Sequence, residues 1–225
     1  MTTTTARTTA STTATATRSQ RQFAGWYPSM MERVERAGQS RIRHDQLAVA
    51  SGRVLEIGAG NGFSLDHYPA TVDDLVLVEP NPAFREQLRH RLAGLALPAE
   101  VRDGDAHDLA FPDASFDVVT ASLLFCSVDD PARALAEVHR VLRPGGRFLF
   151  HEHVRGGPLR GALQDLVTPL QRRLADGCRA NRRFEEHLHA SPLEVASISH
   201  LRMPTWLPTI VPLVVGTAVR PGRTP

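Results

Sequence analysis

The stretch from Arg53 to Pro80 constrains what this chain can fold into more than any other. It reads RVLEIGAGNG, then a short polar segment, then LVLVEP. Val54, Leu55 and Ile57 have the spacing of a buried β-strand, and that strand runs straight into Gly58, Gly60 and Gly62. Leu75 to Val78 form a second apolar strand that ends on a carboxylate, Glu79. Strand, glycine turn, helix, strand and acid make half of a nucleotide-binding α/β fold. The glycines allow positive φ and let backbone N–H groups approach a ligand with no Cβ between them. The acid at the tip of the second strand can accept both hydroxyls of a ribose.

The spacing also discriminates between ligands. A dinucleotide fingerprint is G-x-G-x-x-G, with the third glycine where helix meets strand. Here Phe63 holds that position, and the third glycine comes one residue earlier. Another acid, Glu56, stands two residues before the first glycine. Its charge would repel a pyrophosphate and attract the ammonium of an amino-acid tail. The pattern E-x-G-x-G-x-G resembles motif I of the class I S-adenosylmethionine-dependent methyltransferases. That resemblance implies S-adenosyl-L-methionine as cofactor, with Glu56, Gly58, Gly60, Gly62 and Glu79 around it.

Composition sets outer bounds. A chain of 225 residues, 42% hydrophobic and 22% charged, suits one domain with a core able to fold alone. Its net charge of +2 creates no demand for nucleic acid or an anionic membrane. The sequence contains no lysine, which removes Schiff-base chemistry and a Walker-type phosphate loop. Cys126 and Cys178 form neither a C-x-x-C pair nor a zinc spacing, so a reducing cytoplasm is expected. No apolar run reaches the roughly 18 residues of a spanning helix.

Taken in order, residues 1–20 are a threonine- and alanine-rich tail expected to be disordered, and residues 21–225 form the domain. An aromatic cluster, Phe23 to Met31, precedes a helical stretch from Glu32 to Ala50. Trp26, Tyr27 and Met30 either close over the cofactor as a lid or pack on the sheet edge. Asn81 and Pro82 open a helix, a capping side chain followed by proline in the first turn. Ala99 to Arg102 make the third strand, followed by Gly104-Asp105-Ala106. In the methyltransferase pattern an acid here accepts the adenine amino group, and Asp105 with Ala106 is assigned that place over Asp103 and Asp108. The fourth strand, Ser115 to Ala121, ends at Leu123-Leu124-Phe125-Cys126, where ligands bind in an open parallel sheet. Leu123 joins the cofactor set, as does Asn81, and Cys126 reads as a small buried apolar residue.

Pro131 to Leu142 is an amphipathic helix that stops at Arg143-Pro144-Gly145-Gly146 before a strand from Arg147 to His151. The run LRPGG before a strand is again methyltransferase-like. Leu159 to Leu174 carries an apolar stripe, bent at Pro169, which covers the substrate side of the sheet or touches a membrane surface. Pro192 to Leu201 and Leu207 to Val219 are the last two strands. The expected architecture is α/β, a three-layer Rossmann-like sandwich on a seven-stranded, mostly parallel sheet with its last strand antiparallel.

Three tripeptides, CSV at Cys126 to Val128, EHV at Glu152 to Val154 and DGC at Asp176 to Cys178, resemble the methyltransferase-like 7 group. That group is associated with S-methylation of small lipophilic thiols. The resemblance implies a small-molecule methyl acceptor, a thiol before an oxygen or nitrogen acceptor. The hydrophobic N-terminal anchor of the group is missing here, so at most peripheral membrane contact is expected. His153, near the carboxyl edge of the sheet, is the candidate general base, since an imidazole suits proton removal near neutrality. No carboxylate constellation for a required metal is evident, so no metal requirement is expected, and spacing places no third ligand beside His151 and His153. Two other readings remain open: a catalytically silent cofactor-binding partner subunit, and a nicotinamide-dependent oxidoreductase.

Overall fold

The computed structural model describes residues 15–204 and 212–222. Most of the expected tail, and the start of the expected last strand, lie outside the described residues. Helix α1 (Arg18–Val34) begins where Thr17 and Gln20 cap each other. The Thr17 hydroxyl accepts the Gln20 N–H, and the Gln20 side chain accepts the Thr17 N–H. The helix therefore starts inside the segment expected as tail and takes in the whole aromatic cluster. A wider turn, Glu35–Gln39, breaks it at Gly38 (φ 131°) before α2 (Ser40–Leu47).

Strand β1 (Gly52–Ile57) is third in a seven-stranded sheet, with β2 (Val72–Val78) and β3 (Ala99–Arg102) on one side. On the other side come β4 (Phe116–Ser122), β5 (Leu142–His153), β7 (Pro212–Val219) and β6 (Glu194–Arg202), in that order. The first five are parallel; β7 enters between β5 and β6 and runs antiparallel to both. The LRPGG run is a bulged entry to β5. Leu142 pairs with Phe116, and pairing resumes at Arg147 opposite Val118.

Central parallel strands are buried on both faces, so they read as continuous apolar runs whose alternate residues serve opposite layers. Leu55, Ile57, Val76, Val119, Phe148 and Phe150 pack toward α4 (Pro131–Val141) and α6 (Phe184–His189). Val54, Leu75, Leu77, Val118 and Leu149 pack with Leu88 of α3 (Pro82–Leu92). In α4 the spacing of Leu135, Val138 and Val141 puts all three at zero exposure. Each such burial stabilises by about 1.5–3 kcal/mol. Asn81 caps α3 as expected, its side chain accepting the Ala83 N–H at 3.0 Å ahead of Pro82. The remaining helix, α5 (Pro158–Leu174), follows β5. Its apolar stripe is mostly open: Leu159, Leu166, Leu170 and Leu174 are exposed.

Strand order reverses between β1 and β4, so the carboxyl ends of β1, β2, β4 and β5 border one crevice. No helix among the described residues is long and apolar enough to cross a membrane.

Candidate active site

A cavity of about 770 Å³ opens at those carboxyl ends. Gly58, Gly60, Val78 and Glu79 form one part of its wall, Ala106 and Leu123 another, and residues of α1 and α5 a third. Beyond β1 the backbone turns through positive φ at Gly58 (68°), Gly60 (56°) and Gly62 (87°). At Gly60 a Cβ would meet nothing within 4 Å, so the space above that backbone is open to the cavity. Gly62 differs. There a Cβ would lie 2.7 Å from Leu88 and 2.9 Å from Leu65, so this glycine serves packing rather than the cavity.

Glu79 joins the glycine loop to the second strand. One carboxylate oxygen accepts the Gly60 N–H and the other the Asn81 N–H, both at 2.8 Å. Each oxygen keeps lone-pair capacity for a hydroxyl. Burial pushes the Glu79 carboxyl up to about 7, against the pull of those two N–H donors. Asn81 thus supports Glu79 and caps α3 without lining the cavity. Arg85, which the sequence reading passed over, clamps the same corner. It donates to the Glu79 carbonyl at 2.7 Å and to Asp103 at 2.8 and 3.1 Å. Asp103 is therefore engaged, and Gly104, Asp105, Ala106 and His107 are on the cavity wall. The Asp105 carboxylate is itself held by the backbone N–H of His107 at 2.9 Å and by its imidazole at 2.5 Å.

Glu56 is not on the cavity wall. It is buried and accepts from the Tyr68 hydroxyl at 3.0 Å, and that hydroxyl lies 2.9 Å from Thr120. Its side chain shares the face of β1 that carries Val54, so it turns away from the ligand crevice and burial raises its pKa. Nearby, Arg43 donates to Glu35 at 2.9 Å and to Ser64 at 3.0 Å, and Gln39 meets His151 at 2.8 Å. Glu35 Oε2, Gln39 Oε1, Arg43 Nε and His151 Nδ1 have no partner among the described residues. Burial and the Arg43 charge keep His151 well below its ordinary pKa.

Much of the cavity wall is apolar. Phe23, Trp26, Tyr27 and Met30 of α1 and Val167 and Leu170 of α5 line it, so the aromatic cluster does border the cavity. Phe23 and Tyr27 also pack on Phe84 of α3, with centroids 5.5 and 5.7 Å away. At the tip of β4, Leu123 adopts φ 57° while donating to the His151 carbonyl at 2.7 Å. Leu124 N–H donates to the buried Glu152 at 2.8 Å, and burial raises the Glu152 carboxyl to about 7. Next to this tip stand His153, Cys126 and Cys178, all buried and all on the cavity wall. The thiols are 3.5 Å apart, and Cys178 Sγ is 3.9 Å from His153 Nδ1. Their mutual hydrogen bond, aided by burial, holds the Cys126 thiol up, and the same bond draws Cys178 down. Cys126 was read as an apolar filler; the fold gives it a second thiol and an imidazole as neighbours. His107 and Gln171 also line the cavity, and neither was expected.

A glycine loop tied to a buried acid at the switch point of this sheet is the arrangement in which an S-adenosylmethionine-dependent methyltransferase would hold its cofactor. The cofactor fits the residues present, because Gly60 leaves open space and Glu79 keeps acceptor capacity beside it. Known proteins agree. Residues 55–150 match the sequence profile described as methyltransferase domain. The human thiol S-methyltransferase TMT1B is 34% identical over 188 residues, covering 77% of this chain and 74% of that protein. Human thiol S-methyltransferase TMT1A is 33% identical over 184 residues, covering 78% and 74%. A solved S-adenosylmethionine-dependent methyltransferase of Thermotoga maritima, titled a possible histamine N-methyltransferase, superposes with a TM-score of 0.68 at 22% identity. That match covers 90% of this chain and 98% of the other. The chain belongs to the methyltransferase family that the two human proteins represent.

Proposed function

We propose that the protein transfers a methyl group from S-adenosyl-L-methionine to the sulfur of a small lipophilic thiol. The carrying observation is one cavity with a polar cofactor wall at Gly60 and Glu79, an apolar wall from α1 and α5, and a Cys/His cluster beside both. The names of the two human relatives support the choice of sulfur. When bound, S-adenosyl-L-methionine supplies a methyl carbon on a cationic sulfur, open to in-line displacement. The chain's task is then alignment and exclusion of water. Glu79 holds the ribose, the backbone at Gly60 admits the cofactor closely, and Asp105 and Ala106 meet the adenine. Leu123 fixes the tip of β4 beside the methyl. His153 is the group that receives the acceptor. The open stripe of α5 gives a lipophilic acceptor, or a membrane surface that stores it, an approach to the cavity mouth. The reduced thiols suit a reducing compartment such as the cytoplasm.

The test is a panel of aryl and alkyl thiols, phenols and amines incubated with methyl-labelled cofactor, products being identified by mass. Label should pass to thiols as thioethers. Transfer to phenols or amines with thiols untouched would overturn the acceptor assignment. Tight binding of S-adenosylhomocysteine with no transfer to any acceptor would favour a silent partner subunit.

A further inference from the structure

We propose that Cys126, His153 and Cys178 form a metal centre of zinc type, whose open fourth position takes the sulfur of the acceptor. The proposal relies on the methyl-transfer reading only for the identity of that fourth ligand.

The geometry is close to a tetrahedron already. With Zn–S near 2.3 Å and Zn–N near 2.05 Å, a tetrahedral site has a sulfur–sulfur edge of about 3.8 Å and a sulfur–nitrogen edge of about 3.6 Å. The corresponding distances here are 3.5 Å between the thiols and 3.9 Å from Cys178 Sγ to His153 Nδ1. All three ligand atoms lie within 4.8 Å of one another, and all three residues are buried. The Cys126–His153 edge, at most 4.8 Å, must shorten by up to about 1.2 Å to reach that tetrahedral length.

The three ligands come from three separately fixed pieces of chain. Cys126 lies in the tight turn after β4, and His153 is the last residue of β5. Cys178 is carried by the turn after α5, where Asp176 (φ 45°) and Gly177 (φ 85°) both take left-handed conformations. The Arg179 N–H donates to the Cys126 carbonyl at 2.9 Å and locks that turn to the first one. Gln171 donates to Cys178 Sγ at 3.3 Å, an outer contact of the kind that orients metal ligands. Each of the tripeptides CSV, EHV and DGC contributes one ligand, so the segments that resemble the methyltransferase-like 7 group converge on a single point.

Donor chemistry selects the metal. Two thiolates and an imidazole suit zinc and exclude magnesium and calcium, which take oxygen ligands. Three protein ligands facing a cavity match the catalytic pattern, whereas a structural site closes with four. Two thiolates and a neutral imidazole cancel a +2 ion. An acceptor thiol entering the fourth position gives up its S–H proton to the departing water and binds as thiolate. The centre is then anionic and faces a cationic sulfonium. A sulfur electron pair attacks the methyl carbon as the sulfonium carbon–sulfur bond breaks, its pair returning to the cofactor's sulfur. The thioether product is neutral, a weaker ligand, and water replaces it.

The experiment uses the full chain purified under reducing conditions, with metal content measured before any activity. One zinc per chain is expected, and Cys126→Ser, Cys178→Ser and His153→Ala should each bring it close to zero. Cobalt(II) loaded in place of zinc should give the intense visible bands of a tetrahedral site and a thiolate-to-cobalt charge-transfer band. Thiophenol, added without cofactor, should shift those bands, and phenol should not. Where the variants fail to fold, the wild-type protein still decides: bound zinc should protect both thiols from alkylation, and a mercurial should release one zinc for two thiols. Failure to bind zinc or cobalt stoichiometrically would overturn the proposal. So would metal retained by the Cys126→Ser/Cys178→Ser variant. A Cys126–Cys178 disulfide that zinc cannot prevent would also overturn it. Loss of turnover in His153→Ala with zinc unchanged would make His153 a base and not a ligand. A chain that binds zinc through these residues yet methylates only phenols or amines would fail the thiol reading and keep the metal site.

Discussion

Glu79 offers the sharpest test of the cofactor site, because its burial and its expected role oppose each other. The folded protein raises its carboxyl to about 7, so the unliganded site is roughly half ionised at pH 7. Only the carboxylate can keep the Gly60 and Asn81 N–H groups and still accept two ribose hydroxyls. Cofactor binding should therefore select the ionised form, and the apparent Kd should equal the intrinsic value divided by the ionised fraction. That fraction is about a tenth at pH 6, a half at pH 7 and nine-tenths at pH 8. Affinity for S-adenosylhomocysteine should rise about tenfold from pH 6 to pH 8, with about half a proton released per binding event at pH 7. Glu79→Gln keeps the volume but turns an amide donor toward one of the two N–H groups. Loss of a hydrogen bond to a charged group costs about 1.5–3 kcal/mol, hence roughly a 10- to 150-fold weaker Kd. The variant should also lose the rise with pH, and that separates this carboxyl from every other titrating group. Titration calorimetry in two buffers of different ionisation enthalpy reads affinity and proton release together. A wild-type affinity that is flat from pH 6 to 8 with no proton release, or a variant that keeps the slope, would refute the reasoning. Stability gives a second check on the sign. A carboxyl whose pKa is raised by folding stabilises below its unfolded value near 4.3 and loses that contribution as pH climbs through about 7. Glu79→Gln should remove that part of the pH dependence of Tm.

Two further substitutions separate ligand space from packing and probe the buried network. Gly60→Ala should abolish measurable S-adenosylhomocysteine binding while Tm falls only by the cost of a left-handed alanine, about 1–2 kcal/mol. Gly62→Ala, which drives a methyl group into Leu65 and Leu88, should lower Tm further; equal stability in the two variants would contradict the assignment. Glu35→Gln leaves Arg43 as a buried charge without its counter-ion, and should destabilise by about 3–5 kcal/mol in urea unfolding. A loss under 1 kcal/mol would mean that water or the cofactor's tail already serves Arg43.

The parts of this molecule legible in the sequence are those whose physics is local. The capping of α3 by Asn81 and Pro82, the turn glycines and the apolar strand ending on Glu79 each depend on a few adjacent residues. The setting of Glu56 was not legible because it is not local. Tyr68 and Arg43 reach it from either side along the chain and give the carboxylate a buried setting of its own, away from the cavity. Gly60 and Gly62 look alike in sequence and share positive φ; only Leu65 and Leu88 beneath the second distinguish a ligand surface from a packing contact. The Cys/His cluster carries the same lesson further. Spacing predicts a metal site only when one turn or one helix supplies the ligands, and here 25 residues separate His153 from Cys178. Sheet order could have brought two of the three together. Parallel β4 and β5 are neighbours, with Ser122 opposite His151, so Cys126, in the turn after β4, and His153, at the end of β5, come to the same edge of the sheet. The third could not have been found that way. Cys178 arrives on a turn of two left-handed residues after a helix whose apolar face is largely uncovered, and no period or cap encodes that path.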